Sequence, residues 1–260
     1  MVQFILGLIF LIFNIADSSA QSNDKSFGAS ISMQYNSSLH EASDPNRSEL
    51  MQTRVKASYL LNSRDSIAVG MGHDQTFYKK SQLLDSYLGF SQSKLLLKGD
   101  FSFSHQMRGN IPTSKEAQER DDLQGGAAYL PSIQFKKDAH SAGYTAAMTK
   151  NFHQFETRQD GLFNVSHHVL HALSYSYSLT DVVSLSVGGI LLQRWNYNGT
   201  KRNDQYEISE SISFTKNIHT LSLGLAQGDV LSNPEAGPAK EITLYDENDT
   251  VYFLNWVVAI

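Results

Sequence analysis

The residues most capable of chemistry are three of the nine histidines, His167, His168 and His171, packed into Val165–His171. Imidazole is a common metal ligand and a base poised near neutral pH, so the cluster first suggests a metal site or a catalytic centre. The backbone decides between these readings. If the segment is a strand, His167 and His171 share a face about 13 Å apart while His168 points the other way, too far for one ion with bonds of about 2 Å. His105 and His153 are further candidate bases. Serine is abundant throughout, so no single Ser marks a nucleophile, and no set of residues meets the nucleophile–base criterion. There is no cysteine, which removes thiolate chemistry and disulfides. The sequence implies no cofactor, no metal and no catalytic residue.

The elements that must position these side chains emerge from the hydrophobic pattern. Residues 4–13 form an apolar run followed by Ser18-Ser19-Ala20, which reads as a signal peptide over residues 1–20, cleaved before Gln21. The run is shorter than the roughly 18–20 apolar residues a helical span needs. Residues 21–260 then form one domain. Charged residues are 18% and hydrophobic residues 41% of the chain, with a net charge of -5. That balance excludes a nucleic-acid partner, whose phosphates would demand a basic excess.

From Phe27 the chain alternates with period two. Phe27, Ala29, Ile31, Met33 and Tyr35 interleave with Gly28, Ser30, Ser32, Gln34 and Asn36. Successive strand side chains point to opposite faces, so such a segment has one apolar and one small polar face. The pattern recurs to the end of the chain and predicts twelve strands of roughly ten residues, the length of a tilted membrane-crossing strand. Short connections are expected at 62–65, 92–94, 137–140, 179–181 and 216–217. Long ones are expected at 37–50, 79–83, 106–125, 155–162, 198–204 and 228–248. Short and long alternate strictly. A soluble sandwich has no reason to gather its long loops at one end, whereas a membrane barrel does.

Aromatic placement agrees with this reading. Tyr35, Phe103, Phe152, Trp195, Tyr206 and Tyr252 are expected at the long-loop ends, and Phe27, Tyr59, Phe135, Tyr144, Tyr177 and Phe214 at the short-turn ends, as two interfacial girdles. In these features, and in its alternating last strand from Val251 to Ile260, the chain resembles the bacterial outer-membrane β-barrel proteins of Gram-negative cells as a general class. It ends in Ile260 where that class commonly ends in Phe. The resemblance implies an all-β, antiparallel, up-and-down transmembrane barrel of about 12 strands, with short periplasmic turns, long extracellular loops and both termini in the periplasm. It implies outer-membrane lipid and lipopolysaccharide as surroundings, and the outer-membrane assembly machinery as a partner. The His-x-Ser-Asn-Gly run of barrel phospholipases is absent.

Three features strain the pattern. Pro131 falls within a strand and suggests a bulge. Glu210 falls on the apolar face, as do His167 and His171, so each faces either lipid or lumen. The inward face, rich in Ser, Gly and Ala, carries Arg54, Lys56, Lys98 and Arg194 against Asp74, Asp85, Asp100 and Glu207. Four charges of each sign suggest pairing across the lumen rather than strong ion selectivity. Residues 115–122, with Asp121 and Asp122, read as a solvated external loop, or alternatively as a constriction or cation site. The expected function is a small channel or uptake protein for modest polar solutes. The alternatives are a closed structural or surface-interaction barrel acting through its loops and, third, an envelope enzyme.

Overall fold

The alternation becomes strands whose apolar faces all point away from a common axis. The structure, a computed structural model, describes residues 27–40, 44, 47–76, 81–158, 160–233, 237–238 and 250–260; the leader expected at 1–20 lies outside them. Twelve long strands run β1 Phe27–Ser38, β2 Glu49–Leu60, β3 Asp65–Thr76, β4 Ser86–Lys98, β5 Phe101–Ile111 and β6 Leu123–Lys137, then β7 His140–His153, β8 Val165–Ser178, β9 Val183–Asn196, β10 Asp204–Lys216, β11 His219–Asn233 and β12 Thr250–Ala259. Each pairs antiparallel with its chain neighbours, and β12 pairs with β1, so the sheet closes into an up-and-down barrel. Ile31 meets Val55 on one side and Val258 on the other, fixing one register at the seam.

Short and long connections alternate as expected. Tight turns are made by residues that tolerate left-handed backbone: Gly99 (φ 61°), Asp138 (φ 52°) and Asn217 (φ 56°). The outward face is exposed hydrocarbon, with Leu88 at 59% and Leu173 at 63% exposure. Such a belt, hydrophobic all round, belongs in lipid.

The short turn expected at 92–94 is not there. Residues 93–95 form a bulge between Gln92 and Leu96, with Lys94 at φ 55°, and the chain turns instead at Gly99-Asp100. The bulge inserts extra residues and hides the period behind three consecutive leucines, Leu95 to Leu97. Two consequences follow. Phe103 and His105 lie toward the short-turn end, not the long-loop end, and β5 continues to Ile111, so the long loop is 112–122. The bulge expected at Pro131 is also absent. Pairing continues in one register from Tyr129–Met148 to Ser132–Thr145, so Pro131 costs ladder hydrogen bonding without shifting the strands. That strand's bulge sits at Leu123/Gly125 instead. Of the expected long-loop girdle, Tyr206 is at its expected end but buried.

Inside the barrel, Leu170 and Ala172 on β8 pack against Ile190 and Leu192 on β9 in a buried cluster. Burying a Leu or Ile side chain is worth about 1.5–3 kcal/mol. This apolar patch interrupts an inner wall expected to be rich in Ser, Gly and Ala with charges of both signs.

Candidate functional site

The inner wall divides into two halves by depth. Toward the short turns it carries many serines that are only half-buried: Ser30, Ser58, Ser66, Ser174, Ser184 and Ser211. Toward the long loops the wall is buried and charged. There Gln34 donates to Asn36 (2.6 Å), Asn36 to Gln52 (3.3 Å) and Gln52 to Asp74 (3.4 Å). Arg54 completes the chain, with Nη1 donating to Asp74 Oδ1 at 2.7 Å. A nearly dry arginine–carboxylate pair of this kind keeps its geometry because breaking it strands a buried charge.

Next to this network, Gly70 leaves β3 without a side chain, and the ring of Tyr87 from β4 fills the space. A Cβ built on Gly70 would lie 2.7 Å from Tyr87 Oη and still closer to its ring carbons. Arg108 from β5 sits over the tyrosine ring, 4.5 Å from its centroid, and its Nε donates to Gln106 Oε1. Gln106 is held in turn by Ser91 (2.9 Å). Lys56 on β2 is opposite Gly70, so it flanks the Tyr87 ring on which Arg108 rests. The facing wall carries His168 on β8, register partner of Arg194 on β9, and Glu207 on β10. Arg194 Nε and Glu207 Oε1 are buried without a hydrogen-bond partner among the described residues.

The eight charges expected on the inner wall therefore sort into three groups. Arg54, Lys56, Asp74, Arg194 and Glu207 are on inward positions. Asp100 is not: it lies exposed at the β4–β5 turn, because the turn sits later than expected. Nor is Asp85, which lies outside the strands, exposed, and accepts the backbone N–H groups of Thr113 (3.1 Å) and Ser114 (3.0 Å) from the adjoining loop. Lys98 ends β4, and its side chain lies outside the described residues. Sequence reasoning missed Arg108 by assigning it to a loop, and it did not single out Tyr87. The alternation Ser102, Ser104, Gln106, Arg108 continues unbroken and was the available signal.

Two of these losses are carboxylates and the gain is an arginine, so the expected four-to-four balance is replaced. Among the described residues the inward cations are Arg54, Lys56, Arg108 and Arg194, and the inward carboxylates near them are Asp74 and Glu207.

The histidines do not converge. His167 and His171 face outward; His167 stacks on Trp195 (5.0 Å, 8°) and His171 shares a 2.8 Å hydrogen bond with Tyr144 Oη. His168 faces inward. His105 is outward and bonded to Gln92 (2.9 Å), and the His153 ring is bonded to Tyr197 Oη (3.2 Å). Glu210 also faces outward, mid-strand, beside Val187 and Leu225. At the long-loop rim the Asp121 carboxylate is engaged by Arg120 (2.8 Å) and Arg158 (3.4 Å), and the hydrogen bond to Asp121 raises the Arg120 pKa further. Asn164, only 1% exposed, donates to the carbonyls of Asp121 (3.0 Å) and Phe155 (2.9 Å), pinning loop 112–122 to loop 154–164.

The sequence matches no protein-family model and no curated protein. The fold does have counterparts among solved structures. An outer-membrane channel from Pseudomonas putida F1 superposes with a TM-score of 0.61 at 11% identity, covering 93% of this chain and 100% of that one. The NanC porin superposes with a TM-score of 0.58 at 10% identity, covering 88% and 98%. The chain has the fold of bacterial outer-membrane β-barrel proteins.

Proposed function

We propose that this protein is an outer-membrane channel or uptake barrel for small polar solutes, delivered by a cleaved leader at residues 1–20. In this reading both termini and the short turns are periplasmic and the long loops face outside. The observation that carries it is the half-exposed serine lining on the short-turn half of the inner wall. A barrel built only to be solid would fill that space with large side chains, as eight-stranded barrels do. Two of the solved structures it resembles are a channel and a porin, which supports the reading. Purified protein in planar bilayers should give discrete conductance steps; repeated silence from folded protein would end this assignment.

A second reading is favoured by the buried layer of Leu170, Ile190 and Leu192 and by the pinned loops. In that reading the barrel is closed and acts through its outer rim. Replacing residues 113–121 by a short Gly-Ser linker would then abolish surface binding without altering any conductance.

A further inference from the structure

The inner wall holds three cations that form no ion pair among the described residues, and two of them, Lys56 and Arg108, lie on the same side of the barrel. Arg54 is matched by Asp74, whereas Lys56 and Arg108 form no ion pair with any carboxylate among the described residues. Setting two like charges side by side in a partly desolvated wall is unfavourable unless something negative joins them. The surroundings hold them there. Gly70 lets Tyr87 lie flat across β3, the ring supports Arg108 from below, and Gln106, itself fixed by Ser91, occupies Arg108 Nε. A Cβ on Gly89 would stand 3.0 Å from Gln106 Nε2, so that glycine keeps the amide in place. The guanidinium is thus oriented by two contacts, neither of which is a carboxylate. Its Nη edge is left as a fork, the geometry that receives a carboxylate or phosphate through paired hydrogen bonds.

We propose that Lys56 and Arg108, set by Tyr87, Gly70 and Gln106, form an anion-binding site on the barrel wall for solutes bearing a carboxylate or phosphate group. This deepens the channel reading by naming the class of solute, and it rests on that reading for the route by which the solute arrives. Arg194 on the facing wall adds positive character across the lumen.

The test uses the full chain, folded in detergent and checked by heat-modifiable gel mobility. Calorimetry is run with inorganic phosphate, with glucuronate, and with glucose as the neutral counterpart. The wild type should bind one or both anions and not glucose. The Lys56→Gln/Arg108→Gln double variant should bind at least about tenfold more weakly, the loss expected for charge-assisted hydrogen bonds. If that variant fails to fold, Lys56→Gln alone decides, since Lys56 makes no hydrogen bond or ion pair among the described residues; it should weaken binding at least about threefold. Wild-type protein that binds neither anion, or a folded variant that binds them undiminished, overturns the site. In bilayers under a salt gradient, the wild type should favour anions and the double variant should lose that preference. A silent barrel that still binds phosphate through these residues ends the channel reading and keeps the site. A conducting barrel without binding does the reverse.

Discussion

The Arg54–Asp74 pair allows a sharp test of how the barrel interior is held together. The two charges are 2.7 Å apart, with only 10% and 7% of their side chains exposed. Arg54→Ala strands a buried carboxylate and Asp74→Ala strands a buried guanidinium; each should destabilise the barrel by about 3–5 kcal/mol. Removing both leaves no uncompensated charge. The double variant should then lie only about 1–2 kcal/mol below wild type, the residue reflecting lost packing and the lost Gln52 contact to Asp74. The cycle should therefore show a coupling of at least about 4 kcal/mol. Reversible urea unfolding in phospholipid vesicles, followed by the fluorescence of Trp195 and Trp256, gives all four stabilities. If the two single losses simply add to within about 0.5 kcal/mol, the pair is not the unit described and the reasoning fails.

Four further outcomes are expected. Gly70→Ala drives a methyl group into the Tyr87 ring and should cost about 1–3 kcal/mol in the same unfolding assay, while Gly189→Ala, which meets only a carbonyl at 4.0 Å, should cost less. Glu210→Leu replaces an outward carboxylate in the apolar belt and should stabilise the barrel in vesicles by about 1–2 kcal/mol; destabilisation would mean that the carboxylate has a partner. Asn217→Gly should be neutral or mildly stabilising, whereas Asn217→Val, with a branched side chain at φ 56°, should lower stability by about 1–2 kcal/mol. Asn164→Ala removes one hydrogen bond between the loops and one within loop 154–164, and should make loop 112–122 newly sensitive to limited proteolysis, with the barrel itself intact.

How far the sequence could be read depended on whether a feature was periodic. The seam strands β1 and β12, the alternating loop lengths and the outward belt all repeat with period two or with strand parity, so they were legible from Phe27 to Ile260. The β4–β5 hairpin was not, because Gln92 to Lys94 has turn-like polarity and the bulge there breaks the phase that would expose Gly99-Asp100 as the true turn. A turn at Gln92 to Lys94 would put Asp100 on the inner wall and Arg108 in a loop, which, with Asp85 counted inward, makes an uneven wall look balanced. The stacking of Arg108 on Tyr87 was illegible for a different reason. It depends on a missing side chain, Gly70, on the neighbouring strand β3, which no pattern within β4 or β5 records. Likewise, Leu170 and Leu192 occupy inward positions among serines, and only their register brings them together.

The join between β1 and β12 sets a rule for how the molecule can be made. Ser32 Oγ donates to Asn255 Oδ1 across 223 residues of chain, and the backbones of Ala29 and Ile260 exchange hydrogen bonds of 3.0 and 2.8 Å. Every other pairing joins strands that follow one another in the chain, but the second edge of β1 waits for β12, Thr250–Ala259. Until they arrive, a growing chain presents two unsatisfied edges, which hydrocarbon does not tolerate and which invite pairing with other chains. Insertion must therefore be a late, all-or-none event. A chain shortened by a single strand at its C-terminus should be lost to degradation or aggregation, not accumulate as a slightly smaller barrel.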